Sequence, residues 1–276
     1  FALPRFETLN MTLPRQQDRY AVMGVSLRSP AIRDALALQD FTFHTIERSP
    51  DDDIARRITC LVDVGFAGED RERILATMAA PEVSLVSLTI TEKGYCHKNG
   101  QLDVRHPDIM HDIENPATPI SAPGFIVAAL ARRRAAGIAP FTCLSCDNLA
   151  DNGRLLAAVV TGFATLVDPT LAAWIEAEAR FPVSMVDRIV PATTDDDRAD
   201  VARLVGGADR TPVIHEPFWQ WVLEDNFGPM GRPDFAHVGV QMVTDVTPYE
   251  TMKLRCLNGS HTALAILGQL HGKQSV

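Results

Sequence analysis

The run Val83-Ser-Leu-Val-Ser-Leu-Thr-Ile90 restricts the fold more than any other stretch, because its apolar residues allow burial on both faces. A strand covered on both sides needs a layer of helices above and below it, and parallel sheets supply that arrangement. The neighbouring segments agree: a polar loop from Gly94 to Pro107, a strong helix signal over 124–136, then a second short apolar run from Phe141 to Ser145. The alternation extends along the chain. Strands are predicted at 20–26, 41–47, 58–66, 183–189 and 238–243, with helices over 31–39, 70–79, 153–166 and 169–180. Thr193 and Thr194 ahead of Asp195, Asp196 and Asp197 put capping residues and acids at a further helix start. The expected class is α/β, a mostly parallel sheet with flanking helices. Residues 1–19 lack periodicity and read as an irregular arm.

Composition narrows the partners. A formal charge of −9 argues against nucleic acid, since phosphate binding wants clustered Lys and Arg. The one basic run, Arg132 to Arg134, ends an apolar helix and reads as a solvated terminus suited to the helix dipole. No apolar run approaches the roughly 18 residues of a membrane span, and the N-terminus lacks a signal-peptide pattern, so the expected location is cytoplasmic. Five scattered cysteines do not form a disulfide framework. Cys143 and Cys146 stand as a lone C-x-x-C, for which buried thiols, a redox pair and a zinc site are alternatives; no metal is expected.

Ligands of open α/β sheets lie beyond the carboxyl ends of the strands. Three polar clusters fall there: Thr89 to Glu92, Ser145 to Asn148, and Asp187-Arg188. A fourth set lies near the end of the chain, between Pro248 and Gly268, which reads as one helix or as two helical turns either side of a break at Gly259. At about 100° per residue from Lys253, Glu250 falls near ~60°, His261 near ~80° and Asn258 near ~140°. Apolar neighbours such as Met252, Leu254, Leu257 and Leu264 imply that part of this polar face is inside the protein. Burying an ammonium disfavours its charged form, which is how a lysine comes to act as a base near neutral pH.

The stretch Met252-Lys-Leu-Arg-Cys-Leu-Asn-Gly-Ser-His261, with Lys253, Asn258 and His261 as K-x4-N-x2-H, resembles the signature of the mannitol dehydrogenase family of polyol-specific long-chain dehydrogenases. Four other stretches agree in order: Ser87 to Glu92, Pro140 to Asn148 with Asn152-Gly153, Phe181 to Ile189, and Glu216 to Asp225. The resemblance implies a Rossmann-like dinucleotide-binding domain over 20–245 and, over 246–276, a catalytic helix opening a helical substrate domain. It implies metal-independent, NAD(P)-dependent interconversion of a polyol or sugar acid and its keto form, such as mannitol and fructose or mannonate and fructuronate. Lys253 would be the base, Asn148 and Asn258 the donors to the developing alkoxide, and His261 the group orienting a hydroxyl. Glu250 would relay protons, and Asp187 would lie on the substrate side or pair with a neighbour such as Arg188. Asn148 alternatively makes an Asx turn before the next helix.

Thr89, Thr91 and Glu92 are the expected cofactor-side residues. Arg28 either meets the 2′-phosphate of NADP or is a surface arginine, and NAD is the expected cofactor. The family's Gly-rich turn, G-x-G-x-x-x-R-x-H, is not found in these residues, and the helical substrate domain is represented only by its opening. A non-catalytic fragment or sugar-acid binding remnant is therefore the alternative to an enzyme. Other expected partners are a small-molecule substrate and, at most, a second copy of the chain.

Overall fold

The structure, a computed structural model, describes residues 2–13 and 19–273. It opens with α1 (Leu3–Thr12), β1 (Val22–Ser26), α2 (Ala31–Ala37), β2 (Phe43–Arg48), β3 (Asp53–Ile58), β4 (Leu61–Phe66) and α3 (Ala67–Ala79). Next come β5 (Leu85–Leu88), α4 (Thr91–Gly94), β6 (His97–Lys98), β7 (Gln101–Leu102), α5 (Pro107–Glu114), α6 (Ala122–Ala135) and β8 (Thr142–Ser145). After these lie α7 (Asn152–Val167), α8 (Pro169–Glu178), β9 (Ser184–Asp187), α9 (Asp195–Val205), β10 (Val213–His215), β11 (Gln220–Glu224) and β12 (Gln241–Val243). The last elements are α10 (Thr247–Met252), a π-helical turn at Lys253–Asn258 and α11 (Gly259–Leu270).

The architecture is α/β. β1 pairs parallel with β4, β5 with β8, β10 with β2 and β11 with β12, while β2–β3, β9–β11 and β6–β7 are antiparallel. β8 shows why the strands are apolar: all four of its residues are buried. Cys143 faces one core with Phe125, Leu130, Val160 and Phe163, and Leu144 faces the other with Trp221, Leu223 and Phe235. The period of two along a strand sends successive side chains into opposite layers.

Several sequence expectations need correction. The 1–19 arm holds a helix, with Phe6 and Leu9 buried in the second core; the Pro14 to Arg15 part of the expected arm lies outside the described residues. Glu7 pins that helix by accepting from Thr59 N and Cys60 N, in the two-residue link between β3 and β4. The strand expected over 58–66 is found as β4, Leu61–Phe66, with Ile58 closing β3 and a break at Thr59-Cys60. The polar loop expected from Gly94 to Pro107 carries the β6–β7 hairpin, and α5 begins at its end. Phe235–Val238 is a 3₁₀ turn, so the 238–243 strand shortens to β12. Gly259 keeps ordinary helical angles, φ −62° and ψ −46°, and the irregularity lies before it, in the π turn. Arg133, expected at a solvated terminus, is fully buried and donates to the carbonyls of Met78, Ala80, Val83 and Ala139.

Candidate active site

The site forms where β5, β8 and β9 end. β8 runs out at Ser145, and Asp147 turns its carboxylate back across the sheet, accepting from Ile90 N at 3.0 Å and Thr91 N at 2.9 Å. Thr91 sits at φ +60°, a left-handed conformation in which its N–H meets that carboxylate. Tyr95, wholly buried, donates to Asp147 Oδ2 at 2.7 Å and lies 2.5 Å from Ser145 Oγ, and burial pushes its phenol well above the ordinary range. One carboxylate therefore locks the exposed Thr89–Glu92 segment against the Asn148 turn.

Lys253 closes the site from the opposite side. Its side chain is 9% exposed and its Nζ donates to Asn148 Oδ1 at 3.0 Å and to Val186 O at 2.5 Å, with Asp187 Oδ1 3.6 Å away. The cleft beside it is lined by Asn148, Leu149, Met185, Val186 and Glu250. Glu250 accepts from Asp151 N at 3.2 Å, and burial, aided by the neighbouring Asp151 carboxylate, pushes its pKa up.

Of the residues singled out in sequence, Lys253, Asn148, Asp187 and Glu250 meet here. Asp187 faces Lys253, whereas Arg188 turns away to the carbonyls of Pro217 and Phe218 and toward Glu47, so the Asp187-Arg188 pairing does not form. Asn258 is half-buried and His261 exposed, and the His261 ring makes no hydrogen bond among the described residues. A π turn takes more residues per revolution than an α turn, so Asn258 lies closer to the Lys253 side of the helix than the ~140° of α geometry. The expectation that apolar neighbours bury this face is corrected: Leu254, Leu264, Ile266 and Leu267 are exposed, and the ends of β8 and β9 bury Lys253 instead.

Thr89, Thr91 and Glu92 lie on the rim at the end of β5, with Glu92 facing His97 at 3.6 Å. Arg28 lies just past β1 and is held by Asp108 Oδ2 at 2.5 Å. Cys143 and Cys146 point into opposite cores, so they cannot act as a pair; burial pushes the Cys146 thiol up to about 12. Asp147 and Tyr95 were not singled out by sequence as individual residues. Asp147 carries a signal, its place beside Asn148 at a strand end; Tyr95, a single aromatic in a polar loop, carries none.

Residues 6–236 match the model of the mannitol dehydrogenase Rossmann domain, and residues 245–276 that of the mannitol dehydrogenase C-terminal domain. The chain belongs to the mannitol dehydrogenase family. It is 52% identical over 207 residues to D-mannonate oxidoreductase of Escherichia coli (strain K12), covering 74% of this chain and 42% of that protein. It is 44% identical over 266 residues to mannitol 2-dehydrogenase of Aspergillus terreus (strain NIH 2624 / FGSC A1156), covering 93% of this chain and 53% of that one. Among solved structures, a Pseudomonas fluorescens mannitol 2-dehydrogenase in ternary complex with NAD and D-mannitol superposes with a TM-score of 0.90 at 44% identity, over 99% of this chain and 56% of that one. The chain spans about half the length of the curated relatives it matches.

Proposed function

We propose that the chain carries the dinucleotide-binding side and the proton-transfer centre of an NAD-dependent oxidoreductase that interconverts a polyol or sugar acid and its keto form. The observation that carries this reading is the double anchoring of Lys253. A neutral amine has two N–H donors and one lone pair. Asn148 Oδ1 and Val186 O take both donors, so the lone pair is left for the proton of a substrate hydroxyl in the cleft. Asp187, close by, steadies the ammonium that forms.

Asn148 spends its Oδ1 on Lys253 and keeps its Nδ2 to donate to the oxygen where charge develops, a contribution of about 2.7–4 kcal/mol in comparable sites. Asn258 is the second donor in this scheme and His261 fixes a neighbouring hydroxyl. Glu250, with its raised pKa, passes the proton from Lys253 outward. NAD, when bound, takes up the hydride. Thr89, Thr91 and Glu92 would hold it, because Asp147 fixes their segment beside Asn148 at the strand ends, where such ligands lie. Arg28 is the residue to meet the extra phosphate of NADP, though Asp108 already engages it.

For the substrate, we favour the sugar acid, as the relative named D-mannonate oxidoreductase is 52% identical over the 207 residues it aligns, against 44% over 266 residues for a mannitol 2-dehydrogenase. No described helix is long and apolar enough to cross a membrane, and we place the enzyme in the cytoplasm. Kinetics with mannitol, mannonate, arabinitol and altronate, followed by NADH absorbance, tests the reading. Mannonate is expected to give the highest kcat/KM. Preference for mannitol would reverse the substrate choice, and failure of all four with NAD and NADP would overturn the enzymatic reading.

A further inference from the structure

We propose that Asn152 is the positioning residue of this site: it sets the distance between the two acceptors that hold Lys253, and so aims the amine. This rests on the proposed role of Lys253 as the base, while its geometry stands independently.

β8 and β9 belong to different hydrogen-bonded ladders, β8 pairing with β5 and β9 with β11. Nothing in the backbone pairing therefore fixes the ends of β8 and β9 relative to each other where the cleft opens. Side chains supply that link: Ser184 Oγ donates to Ser145 O at 2.6 Å, and further along, where the acceptors of Lys253 begin, the tie is Asn152. Its side chain is fully buried. Nδ2 donates to Asp147 O at 2.9 Å and to Ser184 O at 2.8 Å, and Oδ1 accepts from Ser184 N at 3.0 Å. Both N–H donors and one lone pair of the amide are used, with one side of the cleft bonded once and the other twice.

The two bonded strand ends are the ones that carry the acceptors of Lys253. Asp147 directly precedes Asn148, whose Oδ1 takes one N–H, and Ser184 lies two residues before Val186, whose carbonyl takes the other. A widening between Asp147 and Ser184 separates Asn148 from Val186, and one amine can no longer reach both. Gly153 makes the bridge possible. A Cβ there would lie 2.5 Å from the carbonyl oxygens of Phe181 and Pro182, so only glycine lets the start of α7 come close enough for Asn152 to reach Ser184. Asn152 opens α7, yet its side chain crosses to β9; this is why the N-G pair serves the cleft rather than the helix end.

The test uses the small number of lysines. The chain has four, Lys93, Lys98, Lys253 and Lys273, and only Lys253 is buried. Competitive reductive methylation read by mass spectrometry gives the reactivity of each amine without reference to turnover. Lys253 is expected to react last in the native chain and to lose that lag in Asn152→Ala and in Asn152→Asp, which keeps the Ser184 acceptor but lacks both donors. The other three lysines serve as internal standards, and a circular dichroism melt separates loss of aim from loss of fold. If Asn152→Ala does not fold, Asn152→Asp carries the test. Where turnover is measurable, displacement of the amine is expected to lower kcat by ~100-fold and leave KM nearly unchanged. Retention of the lag in folded Asn152→Asp overturns the proposal. Loss of the lag in a chain without dehydrogenase activity would overturn the functional reading and leave the positioning role standing.

Discussion

Three consecutive arginines on one helix invite a scan in which each neighbour controls for the others. Arg133 is fully buried and faces no carboxylate among its hydrogen-bond partners. Nε donates to Ala139 O at 2.7 Å and Nη1 to Ala80 O at 2.7 Å, Val83 O at 3.0 Å and Met78 O at 3.3 Å, with the guanidinium 5.4 Å from the Phe141 ring centre. The carbonyls of Met78 and Ala80 are at the C-terminal end of α3, where helices leave carbonyls unpaired, and Val83 leads into β5. Replacing Arg133 by Met fills most of the volume and strips the donors. Three close carbonyl bonds to a charged donor, at about 1.5–3 kcal/mol each, set the gross loss at roughly 5–9 kcal/mol. Methionine also removes the cost of burying a cation, several kcal/mol, which offsets about half. A net loss of ~3 kcal/mol is expected, a large part of the roughly 5–15 kcal/mol typical of a domain. Urea unfolding followed by circular dichroism measures it, with Arg132→Met and Arg134→Met as controls. Those two hold exposed Glu72 and Thr170 and are expected to leave the midpoint almost unmoved. If the three variants unfold together, Arg133 is not the clamp between α3, β5 and α6 that its bonds describe.

Three further substitutions have expected outcomes in stability. Gly124→Ala sets a Cβ 2.2 Å from Asp112 Oδ2, a carboxylate that cannot yield because Ile120 N, Ser121 N and Ser121 Oγ bond it; a loss of ~3 kcal/mol is expected in the same unfolding assay. In α9 the N–H and hydroxyl of Thr194, with Arg48, hold the Asp197 carboxyl down at about 2. Its stabilisation is present above the unfolded value of 3.8 and is lost as pH falls toward 2, so the melting gap between native chain and Asp197→Asn should close over that window. Glu250 has the opposite sign: its raised pKa makes the charged form costly at neutral pH. Glu250→Gln is accordingly expected to melt no lower than the native chain at pH 7, and any advantage should vanish below the ordinary value of 4.5.

How much of the fold and the site was legible in the residues depends on whether the signal was local. β8 and α6 follow from short-range pattern, and Lys253 and Asn148 from strand ends and a shared helix face. α1 escapes the pattern because Pro4 and the polar residues between Phe6 and Leu9 dilute its periodicity, and Glu7 ties it to backbone N–H groups some fifty residues away. The burial of Arg133 is invisible beside Arg132 and Arg134, since identical residues on successive helix positions face different surroundings. The π turn likewise leaves no mark in composition, yet it decides where Asn258 lies relative to Lys253. Local patterns indicate which residues are candidates; long-range carbonyls and carboxylates decide which of them meet.

Chemical rescue of Lys253→Ala tests the central claim most directly. Substrate oxidation with NAD is measured across pH for the native chain and for Lys253→Ala, with and without methylamine, alongside calorimetric NADH binding. The account predicts a fall in kcat of about 10²–10⁴-fold, recovery that rises with free methylamine, and unchanged NADH affinity. Undiminished turnover in Lys253→Ala, or a loss that no amine restores while NADH binding and fold stay intact, would contradict it.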